Sequence, residues 1–251
     1  MIEVFPLSAI GEVAPGDDLA AILGTAVEQA LGVPAADDIL VVTQKIVSKA
    51  EGRFVDLATM VPRPRAIELA EATRKDARLV ELVLRESSEV LRAAPNVLIT
   101  RHRSGHVMAN AGIDRSNLGP GREDWALLLP FDGDISAAQL HDALRRRWPQ
   151  PPAVVISDSF GRPWRLGVVN VAIGASGLPS LVDRRGERDR DGRLLEVTQV
   201  ALADMVATAA GLATGEGAEG VPAALVRGVQ WSAPEAPAAA MLRPPDEDLF
   251  R

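Results

Sequence analysis

The stretch TGEGAEGVPAALVRG (residues 214–228) decides the fold class, and it does so by the order of what surrounds it. Its glycines match the dinucleotide-binding pattern G-x-G-x-x-G letter for letter at residues 215–220. That pattern holds a pyrophosphate only where a strand precedes it and a helix follows, so that a helix N-terminus faces the ligand. Here the order is reversed. Apolar periodicity predicts a helix over residues 196–213, before the glycines, and AALV (residues 223–226) reads as the last strand after them. A Rossmann site is excluded on context, and with no G-x-x-x-x-G-K-[ST] anywhere, so is a P-loop. The loop keeps exposed backbone N–H groups that can cradle phosphates, and Glu216 within it is an oxygen donor for a metal. A plain surface connection is the competing reading.

Working outward, residues 17–31 carry apolar side chains at helical spacing with Asp17 or Asp18 as cap, and ILVVT (residues 39–43) is a buried strand running straight into QKIVSKAEGR. Helices are expected over residues 64–75 and 77–92, then strands at 97–101 and 106–110 with RHRSGH as the hairpin turn between them. A strand at 126–129, a helix capped by Ser136 and ending on Arg145, Arg146 and Arg147, and a strand at 153–157 follow. Hairpins and crossovers together favour an α+β architecture, mixed sheets with packed helices. Residues 1–231 read as one domain with room for two subdomains, and residues 232–251 as a loose tail rich in proline, alanine and acid.

Composition narrows the function. The 251 residues are 47% apolar and carry a net charge of −7, which argues against a nucleic-acid partner. Cysteine is absent, so disulfides, thiolate metal sites and a cysteine nucleophile are excluded together. No apolar run approaches the roughly 20 residues that span a bilayer, and a cytoplasmic protein without a membrane partner is expected. Only three of the 27 lysines and arginines are lysine, yet Lys45 and Lys49 fall four apart on one predicted helix face. A compact ammonium there can reach a phosphate; a solvated helix face is the alternative.

Two aspartates each close an apolar run: Asp114 in HVMANAGIDRSN (residues 106–117) and Asp158 in AVVISDSFGRPWR (residues 153–165). Both read as strand-end carboxylates presented to a cleft, suited to Mg²⁺ or Mn²⁺, with Ser159 as a hydroxyl ligand beside the second. Singly, either would serve as a turn cap. Arg162 and Arg165 flank Trp164 nearby and can pair with substrate carboxylates or with structural acids. The histidines form no convincing site, since His102 and His106 fall in the RHRSGH turn, and Asp189 and Asp191 read as a solvated acidic turn rather than a calcium loop.

VVTQKIVSKAEGR, NAGIDRSN, SDSFGRPWR followed by VAIG, and GEGAEGVPA, in this order and over nearly the whole chain, resemble the coenzyme F420-0:L-glutamate ligase (coenzyme F420 gamma-glutamyl ligase) family. The resemblance implies an amide ligase that joins L-glutamate to the phospholactate carboxylate of a deazaflavin precursor and adds a further glutamate through a gamma-carboxylate. GTP would be the phosphoryl donor, two Mg²⁺ or Mn²⁺ ions would assist, and the protein would be a homodimer. By position, Asp114 and Asp158 would bind metal, with Ser159 and Glu216 serving the second ion. Nucleotide contacts would fall on Ile10, Gly11, Glu12 and Val13, on Gln44, Lys49 and Asn117, and on Thr214, Gly215, Glu216, Gly217, Ala218, Glu219, Gly220 and Val221. Gln44 stands where relatives often have serine, and Ser159 where threonine is common. The rival readings are a metal-dependent kinase that stops at phosphorylation of a small carboxylate, and a non-catalytic nucleotide-binding regulatory module.

Overall fold

A computed structural model describes residues 1–248. In chain order the elements are β1 (Glu3–Pro6), α1 (Leu19–Leu31), β2 (Ile39–Thr43), α2 (Gln44–Ala50), β3 (Phe54–Asp56), α3 (Pro64–Thr73), α4 (Ala77–Glu86), β4 (Ser87–Ala94), β5 (Val97–His102) and β6 (Val107–Ala109). They continue with β7 (Trp125–Leu127), α5 (Gly133–Arg145), β8 (Ala153–Arg162), β9 (Arg165–Ser176), β10 (Leu181–Asp183), β11 (Gln199–Ala201), α6 (Leu202–Thr214) and β12 (Ala223–Arg227).

The main sheet has the order β1-β12-β2-β8-β9, and only the β2/β8 pair is parallel. Successive side chains on a strand face opposite ways, so this sheet needs cover on both sides. Leu40, Val42, Val154, Ile156 and Leu225 turn to the face covered by α1 and α5, while Ile39, Val41, Val155, Ala224 and Val226 turn to α6. The α6 side is alanine-rich, with Ala203, Ala207 and Ala210 letting the helix lie close to the strands. A second, smaller core joins α3 and α4 to the β4-β5-β6 sheet and the β3-β7 pair around Leu57, Leu69, Val83 and Leu98. The mixed α+β expectation is met, with neither a doubly wound sheet nor a P-loop.

Three local expectations are corrected. The helix begun at Ala77 stops at Glu86 instead of residue 92, because the Ser87 hydroxyl donates to the Val83 carbonyl and the chain turns extended into β4. That strand then pairs with β5 across Pro95 and Asn96, the latter at φ 65°, so a Pro-Asn turn claims the residues that periodicity assigned to a helix. The helix expected from residue 196 begins at Leu202, since residues 199–201 are drawn into pairing with β10. Finally, Asp132 and not Ser136 caps α5: it accepts from the Ile135 N–H at 3.0 Å, whereas the Ser136 hydroxyl reaches Glu51. Asp132→Ala should lower stability by about 1 kcal/mol in urea unfolding.

The segment after Trp231, expected to lie loosely, is docked in its described part. Asp134 accepts the N–H groups of Ala238 and Ala239 at 2.7 and 3.0 Å, Glu235 accepts from Gly177, and Ala238 is buried against the α6 side of the sheet. Among the described residues no helix is long and apolar enough to cross a membrane.

Candidate functional site

β2 and β8 run parallel, so their carboxyl ends lie at the same edge of the sheet; β12 is antiparallel to β2, so the loop before it arrives there too. The Thr43 N–H donates to the Pro222 carbonyl and locks that loop beside the start of α2. The segment following β1 reaches the same edge. From the smaller core comes Asp114, held by an antiparallel bridge to Leu127. Together these bound a cleft of about 730 Å³, a size usual for a cofactor site.

Nearly every residue proposed from the sequence lines this one cleft: residues 10–13, Gln44, Lys49, Asp114, Asn117, Asp158, Ser159 and residues 214–221. Arg162 and Arg165 do not. They pair with each other across the tip of the β8–β9 hairpin, where Trp164 takes φ 64°, beyond the cleft wall. Asp158 is also not at a strand end as expected. It sits within β8 opposite Val171, next to an irregularity of register at Ile156 and Ser157, a feature that re-aims side chains near active sites.

The cleft lining carries five carboxylates (Glu12, Asp114, Asp158, Glu216 and Glu219) against two ammonium groups. Lys45 bridges Asp114 at 2.6 Å and also donates to the carbonyl and hydroxyl of Ser116, 3.0 Å each. Lys49, buried on the same helix, is paired with Glu12. The Glu216 carboxylate accepts from the Asn170 amide at 2.9 Å, and Glu219 folds back onto the Gly217 N–H at 2.7 Å. Gly215 takes φ 68°, a left-handed conformation that favours glycine, while the nearby Glu219 carboxyl could swing aside from a Cβ. Asn117, itself at φ 53°, reaches across to the Gly217 carbonyl.

The two aspartates titrate in opposite directions. Burial pushes Asp114 up, but the Lys45 ammonium and the Ser116 N–H outweigh it and hold its carboxyl below the ordinary range. Asp158 has no cation of its own: burial raises it to about 7, the Ser159 N–H opposes this, and the carboxylates of Asp114 and Glu216 add repulsion. A half-buried carboxylate repelled by two others is a place where a divalent cation would be welcome. Among the described residues, no three acidic or histidine side chains are already drawn together closely enough to ligate one ion. In this state Lys45 and Asn170 hold two of the acids instead.

The sequence does not single out Ser116 and Asn170 as site residues, whereas it marks Lys45 with Lys49 as an ammonium able to reach a phosphate, and here Lys45 is on Asp114. Asn170 stands in an apolar strand and is placed only by its pairing opposite Ser159. The histidines stay out of the cleft: His102 and His106 are bridged by the Ser104 hydroxyl in the β5–β6 turn, 2.8 and 2.9 Å away. Burial and the neighbouring His102 push His106 down to about 4. The unfolded chain therefore binds the extra proton between pH 6.5 and 4, so stability is full above 6.5 and falls as pH drops through that window. The loss should reach about 3 kcal/mol near pH 4, and His106→Gln should flatten that part of a pH–stability curve.

A match to the F420-0:Gamma-glutamyl ligase family spans residues 9–228, which takes in every cleft-lining segment. The chain belongs to this family. Among its relatives, the coenzyme F420:L-glutamate ligase of Methanopyrus kandleri is 45% identical over 255 residues, covering 100% of this chain and 97% of the relative. Proteins with the same description from Haloarcula marismortui and Archaeoglobus fulgidus are 42% and 40% identical, each over 100% of this chain and 96% of the relative. Membership of this family supports gamma-glutamyl ligation as the activity of the chain.

Proposed function

We propose that the protein is a gamma-glutamyl ligase of coenzyme F420 biosynthesis, joining L-glutamate to the deazaflavin precursor at the expense of GTP with the help of two Mg²⁺ or Mn²⁺ ions. Family membership supports the ligation. The observation that carries the nucleotide and metal requirement is the charge of the cleft: a triphosphate entering a lining of five carboxylates and two ammonium groups meets net repulsion unless cations come with it. Asp114, Asp158, Ser159 and Glu216 supply hard oxygen donors, and the ions they would hold neutralise phosphate charge.

The chain's own groups account for the remainder. A carboxylate resists attack by an amine until one of its oxygens becomes a leaving group. In the reading proposed, the acceptor carboxylate oxygen attacks the terminal phosphorus, the bond to the nucleoside diphosphate breaks, and an acyl phosphate forms. Lys49, released from Glu12, and the backbone N–H groups of the 215–220 loop hold the phosphates in line. The glutamate amine then attacks the acyl carbon, the C–N bond forms, inorganic phosphate leaves, and the amine gives up its proton.

The test is to supply precursor, GTP and Mn²⁺ with and without L-glutamate and weigh the products. A mass gain of one or more glutamyl units, dependent on L-glutamate, is the expected result. Nucleoside diphosphate release at full rate with no glutamyl addition would select the kinase reading and reject the ligase.

A further inference from the structure

Among the described residues the main cleft has no guanidinium in its lining, and the two arginines expected to hold substrate carboxylates lie at a hairpin tip outside it. A smaller hollow of about 480 Å³ opens beside it and shares Glu12 and Asn117 with it. This hollow contains Arg115 and Arg122. Each guanidinium spends one N–H on a backbone carbonyl: Arg115 on Glu123 at 2.8 Å, Arg122 on Leu118 at 3.1 Å. Arg122 is steadied further by the Phe54 ring, 3.7 Å from its carbon to the ring centroid. Neither enters an ion pair among the described residues, and Asp76, whose carboxyl feels Arg115, is already held by Arg78.

We propose that this hollow is the subsite for the incoming dicarboxylic amino acid, an inference that rests on the ligase reading. The charges match in number and kind. Two guanidinium groups with unspent donors face a ligand with two carboxylates, in the fork geometry that suits a carboxylate better than an ammonium does. The hollow's two acids are Glu12, paired with Lys49 while the cleft is empty and freed when Lys49 turns to the phosphates, and Glu123; between them they can receive the ligand's single ammonium. The shared residues Glu12 and Asn117 mark the passage by which the amine reaches the phosphate-binding cleft, where the activated carboxyl would lie.

Losing one charge-assisted carboxylate contact should raise the KM for L-glutamate at least about tenfold. The experiment compares the full-length wild type with Arg115→Gln, Arg122→Gln and Arg122→Lys, measuring KM for L-glutamate, KM for GTP, kcat and the melting temperature. Arg115 is exposed and, unlike Arg122, is not stacked on an aromatic ring among the described residues, so its variant carries the test if Arg122→Gln loses stability with the Phe54 contact. The expected result is a rise confined to the L-glutamate KM, partly restored in Arg122→Lys relative to Arg122→Gln. An unchanged L-glutamate KM in Arg115→Gln, or a parallel rise in both KM values, would overturn the subsite while leaving the ligase intact. A wild type that forms no glutamylated product sinks both.

Discussion

Asp158→Asn should cut turnover by at least about 100-fold while leaving the ligand-free protein as stable as the wild type or more so. The two halves of this expectation come from one physical fact: the half-buried Asp158 carboxyl lies near Asp114 and Glu216 with no cation of its own. Its negative charge is a cost to the empty protein. In the function proposed above, its value would be realised only with divalent cations and a triphosphate in the cleft, where one lost carboxylate would remove several kcal/mol of charge stabilisation. The sign follows from the raised value: an aspartate that holds its proton up to about pH 7 favours the fold in its protonated form and opposes it once ionised. At pH 8 the amide removes that opposition. Steady-state rates and thermal melts with and without Mn²⁺ check both halves. A variant that melts well below wild type without metal would show Asp158 to be a structural acid, and near-normal turnover would remove it from the chemistry.

Such a division between local fold and charge also explains what the sequence made legible. Apolar runs bounded by turn residues located β2 to the residue and β12 within one, because a strand buried on both faces has no other use for ILVVT. The reversed order of helix, glycines and strand rightly excluded a dinucleotide fold. Cleft residues from five distant segments were gathered by family resemblance, and the topology supplies the physical reason: a parallel β2/β8 pair and an antiparallel β12 bring three of them to one edge, where the segment after β1 and the Asp114 segment of the smaller core meet them. What stayed hidden depends on pairings that no periodicity records. The Ser87–Ala94 strand reads as helix until the Pro95-Asn96 turn folds it onto β5. Asn170 gains meaning only opposite Ser159, and the unpaired Arg115 and Arg122 only once their possible partners are seen to be elsewhere.

The second large effect concerns two glycines that look unremarkable in the chain. Gly133 opens α5 and Gly174 lies in β9, and the two backbones touch: a Cβ on Gly174 would stand 2.0 Å from the Gly133 carbonyl oxygen, and one on Gly133 would stand 2.1 Å from that of Ile173. Both obstacles are main chain, so no rotamer change can relieve them. Gly174→Ala must therefore push the first turn of α5 off the sheet. That turn carries Asp134, which accepts the Ala175 N–H at 2.9 Å and holds the tail through Ala238 and Ala239, so the displacement also strands buried N–H groups. Destabilisation of about 3 kcal/mol or more is expected in urea unfolding, the upper range for forced overpacking. Gly161→Ala supplies the control, because a Cβ there meets nothing within 4 Å, and it should leave the midpoint nearly unchanged. Equal midpoints for the two variants would mean that the helix and sheet are not in backbone contact. Because β9 also braces the Asp158 strand through the Asp158–Val171 and Ser159–Asn170 pairs, the Gly174 variant should lose affinity for nucleotide with metal in step with its loss of stability, although no cleft residue has been altered.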